Sequence, residues 1–172
     1  MSHVDRYWDR FLASLPMGKA KPDRYVEAFF FGTEPHRAHE ITALVLNGTK
    51  TATGTLLWSI EADGKQSARP GDFWIVTNGG DDPQCIIQTS DVRVLPFDEV
   101  GEEYAQQGGE GDRTLDSWRR IYWSYIEGEC NRIGRTPDPK SPLVLERFRV
   151  VYAEPWLSCR AHGDLLSRAQ IR

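Results

Sequence analysis

The sequence predicts an α+β protein, a small closed β-barrel with flanking α-helices. Short β-branched and aromatic runs recur along the chain, helix-spaced apolar stretches stand between them, and glycine, proline and asparagine mark the joints. Closure into a barrel is the expected way for several short strands to lose their edges.

Val4, Tyr7, Trp8, Phe11, Leu12 and Leu15 repeat at helical spacing, which predicts an amphipathic helix over 3–15, ended by Pro16, Gly18 and Pro22. The aromatic run 27–32, closed by Gly32, reads as a buried strand. A second helix carries Ala38, Ile41, Leu44 and Val45 on one face and stops at Asn47-Gly48. The β-branched stretch 49–58 reads as a strand ending at Trp58, and 72–77 and 85–95 as two more, joined by a hairpin loop at 78–83. A short helix over 98–107 leads to the polar loop 108–112. Thr114 is placed to cap a long helix running to about Ile133, with Leu115, Trp118, Ile121, Tyr122 and Tyr125 inward. A proline-marked connector leads to a last strand over 144–152. The implied organisation is an N-terminal helical extension (1–24), one domain (25–153) and a C-terminal tail (154–172).

A length of 172 residues allows one domain with a full core, and 40% hydrophobic with 27% charged residues is an ordinary globular balance. No apolar run is long enough to span a bilayer, and no secretory signal opens the chain. Cys85, Cys130 and Cys159 are odd in number and widely spaced, which fits reduced thiols in a cytoplasmic setting better than a disulfide framework. His36 and His39 have a metal-compatible spacing without a further ligand pair, and read as surface histidines. The net charge of −4 argues against a protein that coats long nucleic acid through many phosphates. No protein partner is indicated.

Two stretches can carry chemistry. Lys50 stands at a helix–strand junction, where a partly exposed ammonium can grip an oxygen or, if desolvated, act as a base. Thr53 follows three residues later, and a threonine hydroxyl becomes a nucleophile only beside a base. Thr51 shares the strand face of Thr53. The plain alternative is a solvated lysine among β-forming threonines. Glu110, Asp112 and Arg113 lie in a glycine-bracketed loop suited to orienting a substrate or holding a divalent cation such as Mg²⁺ or Mn²⁺; alternatively the loop only caps the next helix. Trp58 is a candidate base-stacking surface, while Trp74 and Trp118 read as core. Ser124 sits beside Trp123 in the long helix, without a nucleophile elbow. Walker and HExxH motifs are absent.

The ordered set Phe31-Gly32, Leu46-Asn-Gly-Thr-Lys-Thr-Ala-Thr53, Leu56-Leu-Trp58, Pro70-Gly-Asp72, Pro96-Phe-Asp-Glu-Val100, Gly109-Glu-Gly-Asp-Arg-Thr-Leu115 with Trp118, and Glu146-Arg-Phe-Arg-Val-Val-Tyr152 resembles the ASCH family. The resemblance implies a PUA-like β-barrel with a cleft between barrel and helices, and a role on RNA. Some members look like ribonucleases acting on single-stranded RNA, and a shorter relative deacylates N4-acetylcytidine with a Lys-x-x-Thr pair and a glutamate. Lys50 and Thr53 match that pair, and Glu110 is the best match for the glutamate. The family often carries a second lysine where Thr49 stands and a serine where Gly54 stands. The expectation is a ribonuclease on single-stranded RNA with Lys50, Thr53 and Glu110 as catalytic residues, and Thr51, Trp58, Asp112, Arg113 and Ser124 as substrate contacts. The alternatives are a nucleoside amidohydrolase and a non-catalytic RNA-binding module.

Overall fold

The computed structural model describes residues 1–32, 35–80 and 82–154. The expected C-terminal tail therefore lies almost wholly outside the described residues, as do Cys159 and the side chain of His36. The elements are α1 (His3–Ser14), β1 (Ala28–Phe29), α2 (Pro35–Leu46), β2 (Ala52–Leu56), α3 (Leu57–Ala62), β3 (Phe73–Thr77), β4 (Pro83–Pro96), a 3₁₀ turn (Phe97–Glu99), α4 (Glu102–Gly108), α5 (Leu115–Ile133) and β5 (Pro142–Ala153). The strands form a mixed five-stranded sheet in the order β1-β3-β4-β5-β2. Among the described residues, no helix is long and apolar enough to cross a membrane. The chain divides into two compact units, one of 1–48, 71–88 and the segment from Arg149 onward, the other of 49–70 and 89–148.

In the first unit, Ser2 and Asp5 start α1 with a reciprocal capping box, each side chain accepting the other's backbone N–H at 3.0 Å. The helix buries Tyr7, Trp8 and Phe11 against Ile75 and Ile86. The Tyr7 hydroxyl donates to the Gln84 carbonyl at 3.0 Å, so its polar end is satisfied inside the core. The β3–β4 hairpin forms as the loop composition predicts, and a register shift after Val76 accommodates Pro83 at the start of β4. The expected strand over 27–32 shrinks to Ala28–Phe29, pairing parallel with Ile75 and Val76, because Gly32 at φ +87° turns the chain away. Trp74, expected in the core, is only half-buried.

In the second unit, α5 is the organising helix. Thr114 caps it by accepting the Ser117 N–H at 3.2 Å, and Gly134 closes it in the left-handed conformation. Trp118 stacks on Tyr122 at 4.2 Å and on Phe97 at 5.7 Å, over a core shared with Leu56, Leu143 and Leu145. The strand expected over 49–58 is shorter, because the chain enters α3 after the fully buried Leu56, so Trp58 lies in a helix. Among the described residues, β2 pairs with β5 on one side only. Its outward N–H groups at Gly54 and Leu56 donate instead to the hydroxyls of Tyr122 (2.8 Å) and Tyr125 (3.1 Å) on α5. Two phenols thus take the place of a neighbouring strand along an edge that would otherwise be open. Gly54 permits this, since a Cβ there would stand 3.0 Å from both the Tyr122 ring and Leu145.

Tyr125→Phe should therefore strand the Leu56 N–H and lower stability by about 1–3 kcal/mol, read as a shift in the urea midpoint without a change in slope. A second expectation concerns alkaline pH. Burial pushes the Cys85 thiol up to about 12 from an ordinary 9.0. The folded state then holds a proton that the unfolded state releases, so this contribution is complete below pH 9 and is lost as pH rises from 9 towards 12. Urea melts of Cys85→Ala across that window should show a shallower loss of stability than the parent, and identical slopes would contradict the assignment.

Candidate functional site

Lys50 follows α2 and precedes β2, and its side chain is 1% exposed. Its ammonium donates to Glu110 Oε1 at 2.9 Å and to the Gly108 carbonyl at 3.2 Å. Burial pushes the lysine below its usual range, while the charge and hydrogen bond of Glu110 act in the opposite sense. The Glu110 side chain is 17% exposed, so of the two partners it is the glutamate that meets solvent.

The loop that presents Glu110 is fixed by its glycines. Gly109 sits at φ +72°, and a Cβ there would stand 2.7 Å from the Thr49 carbonyl and 2.9 Å from the Lys50 backbone. Only glycine lets the end of α4 lie this close to the chain that carries the lysine. The Thr51 N–H donates to the Gln107 carbonyl at 2.8 Å and ties the same two segments together. Arg147 of β5 holds the outer side of α4, meeting Gln107 at 2.7 Å and Glu103 at 2.8 Å while lying over the Tyr104 ring.

Thr53 lies in β2 opposite Glu146 of β5, whose carboxylate accepts the Thr89 hydroxyl at 3.3 Å. The neighbouring phenol of Tyr122 is held well above its ordinary range, first by burial and next by the charge of Glu110; hydrogen bonding from Thr53 and the Gly54 N–H works against that. Within this unit Lys50 is bonded to Glu110, and Thr53 neighbours the Tyr122 phenol.

The remaining candidates have other neighbours. Thr51 engages through its backbone, its carbonyl accepting the Phe148 N–H at 2.9 Å. Asp112 accepts the Thr114 N–H at 2.9 Å and the Thr114 hydroxyl at 2.6 Å; these bonds hold its carboxyl below the usual range and make it part of the cap of α5. Arg113, at φ +64°, donates to the Gln106 carbonyl at 3.2 Å. One face of the Trp58 ring carries the Arg135 guanidinium at 4.7 Å. Ser124 is exposed on α5. Among the described residues, no three histidine, cysteine or carboxylate side chains gather as a metal site. Of the two loop carboxylates, Glu110 is engaged by Lys50 and Asp112 by Thr114.

The partly exposed Lys50 read from the sequence is corrected by this geometry. Removing a sealed ammonium leaves the Glu110 carboxylate and the Gly108 carbonyl without this partner, and breaking a buried pair costs about 3–5 kcal/mol. Tyr122 and Glu146 are site neighbours that the sequence did not single out. Tyr122 is spaced like a core aromatic, and Glu146 is brought opposite Thr53 only by strand register.

A family model for the ASCH domain matches residues 27–152. Among curated proteins, none matches the chain significantly. The crystal structure of an ASCH domain from Lactobacillus crispatus JV V101 is 27% identical and superimposes with a TM-score of 0.82, covering 87% of this chain and 94% of that one. The crystal structure of a protein from Enterococcus faecalis V583 is 24% identical with a TM-score of 0.77, covering 99% and 96%, a likeness of fold. With the match running across most of its length, the chain belongs to the ASCH domain family, an α+β fold of the PUA-like type.

Proposed function

We propose that this protein is a ribonuclease acting on single-stranded RNA, with Glu110 as the acid–base residue and Lys50 as the cation that orients it. The observation that carries the reading is the asymmetry of the pair, a lysine sealed to 1% exposure against a glutamate side chain that is 17% exposed. A buried, hydrogen-bonded cation fixes the carboxylate in place and balances its charge without itself needing to reach substrate. The PUA-like fold and the family's association with RNA supply the substrate class. In this reaction Glu110 takes the proton of a ribose 2′-hydroxyl, and the 2′-oxygen attacks the adjacent phosphorus. The P–O5′ bond then breaks, and the departing oxygen takes a proton from solvent. Lys50 acts through Glu110 rather than by direct contact with the phosphorane, which revises the role its position in the sequence suggested.

A second reading is favoured by the desolvation of Lys50 and by the Thr53 hydroxyl beside Tyr122. A lysine whose pKa is lowered by burial is suited to accept a proton. In a nucleoside amidohydrolase a neutral Lys50 would take the Thr53 proton as Thr53 Oγ attacks the acyl carbonyl, the same proton would pass to the departing amine with Glu110 orienting both, and water would then hydrolyse the acyl-threonine ester. Trp58, with Arg135 on one face, has no part in either scheme.

Glu110→Gln should lower RNA cleavage by about 10²–10⁴-fold per folded molecule, alongside a loss of stability read separately by urea melting, because it removes the charge opposite the buried Lys50. A single 2′-deoxy substitution at the scissile nucleotide should block cleavage by the parent, and cleavage of an all-deoxy strand would refute attack by the 2′-hydroxyl. Thr53→Val separates the two readings. It should leave RNA cleavage within about tenfold, whereas loss of N4-acetylcytidine deacylation in an otherwise RNA-inactive protein would establish the amidohydrolase.

A further inference from the structure

We propose that the cavity at the start of α5, lined by Asp112, Thr114, Asp116, Arg119 and Arg120, is a subsite for a backbone phosphate of the RNA strand, next to the one being cleaved. The proposal rests on the ribonuclease reading. The cavity is open, with a volume of about 670 Å³. The Arg119 Nε is buried and has no hydrogen-bond partner among the described residues. Leaving a guanidinium N–H sealed and unmatched is unfavourable, and such groups call for a ligand or a functional reason.

Several other arginines are held in ion pairs. Arg10 meets Glu154 at 2.6 Å, Arg132 meets Asp63 at 2.8 Å, and Arg147 meets Asp91 at 3.0 Å. Arg119 and Arg120 form no ion pair among the described residues, although carboxylates share their cavity. Asp112 is engaged by both Thr114 donors, with Arg120 adding only a minor electrostatic contribution. Asp116 is exposed to solvent one helical turn before the arginines. Two guanidinium groups left unpaired beside one opening form a fork suited to the oxygens of a phosphate diester.

The position relative to the reaction site gives the subsite its role. Asp112 lies two residues after Glu110, so at most about 7 Å of chain separates the acid–base residue from the cavity wall. A strand with one phosphodiester at Glu110 would bring a neighbouring phosphate to the arginines. This local pair also reconciles RNA binding with a net charge of −4, because few phosphates need be neutralised.

The test compares the parent with Arg119→Gln/Arg120→Gln on a short unstructured RNA, using its non-cleavable 2′-O-methyl form for binding at several KCl concentrations. The double variant should lose about 0.7 from the log–log salt slope, the amount expected for one single-strand phosphate contact. On cleavable RNA its KM should rise while kcat stays unchanged, since the contact serves binding equally before and during reaction. Arg119→Lys, which keeps the charge and loses the fork, should fall between the two and serves if the double variant folds poorly. Equal slopes and equal KM values in parent and variants would overturn the subsite while leaving the ribonuclease reading intact. If the parent neither binds nor cleaves RNA, that reading fails by itself. The subsite is then decided by inorganic phosphate, which should shift the ¹⁵N resonance of Arg119 Nε, and an unmoved resonance would overturn it.

Discussion

The candidate site depends on one close approach, that of Gly109 to the backbone of Thr49 and Lys50. A side chain at 109 would collide with backbone rather than with a yielding side chain, so the contact admits glycine alone. Because the end of α4 can lie there, the Gly108 carbonyl and the Glu110 carboxylate both reach the lysine ammonium. Without those acceptors a lysine could not remain charged at 1% exposure, because desolvation would drive off its proton or expel it from the interior. The chemistry of the site thus follows from the absence of a single Cβ.

The long helix α5 has two duties. Its tyrosines complete the open side of β2, and the same Tyr122 that accepts the Gly54 N–H lies beside Thr53 and within the field of Glu110. The strand edge and the candidate site therefore share a residue. Position 54 shows the compromise: a residue with a side chain would crowd Tyr122 and Leu145, so glycine at this point keeps the phenol in reach of the backbone.

Much of the fold was legible in the sequence because its signals are local. Thr114 and Gly134 delimit α5 by cap chemistry, the aromatic spacing of α1 reports its buried face, and the 78–83 loop composition announces the β3–β4 hairpin. The end of β2 was misread because Leu57 and Trp58 suit a strand as well as a helix, and the choice falls to how Leu56 and Ser59 are buried. Lys50, Thr53 and Glu110 are candidates on ordered motifs rather than on spacing. The burial of Lys50, the pairing of Glu146 with Thr53 and the hydroxyl contacts of Tyr122 and Tyr125 depend on residues far along the chain, where periodicity carries no information.

Lys50 and Glu110 are 60 positions apart in the chain, and the lysine is sealed only when both ends have met. During synthesis, the segment bearing Lys50 leaves the ribosome well before the carboxylate that will neutralise it. Until α4 docks, this amine is an ordinary hydrated one, open to acylating reagents. Afterwards it is withdrawn from them. The chemical accessibility of that one amine is therefore a native marker of whether the second unit has closed, on the nascent chain as much as in the finished protein.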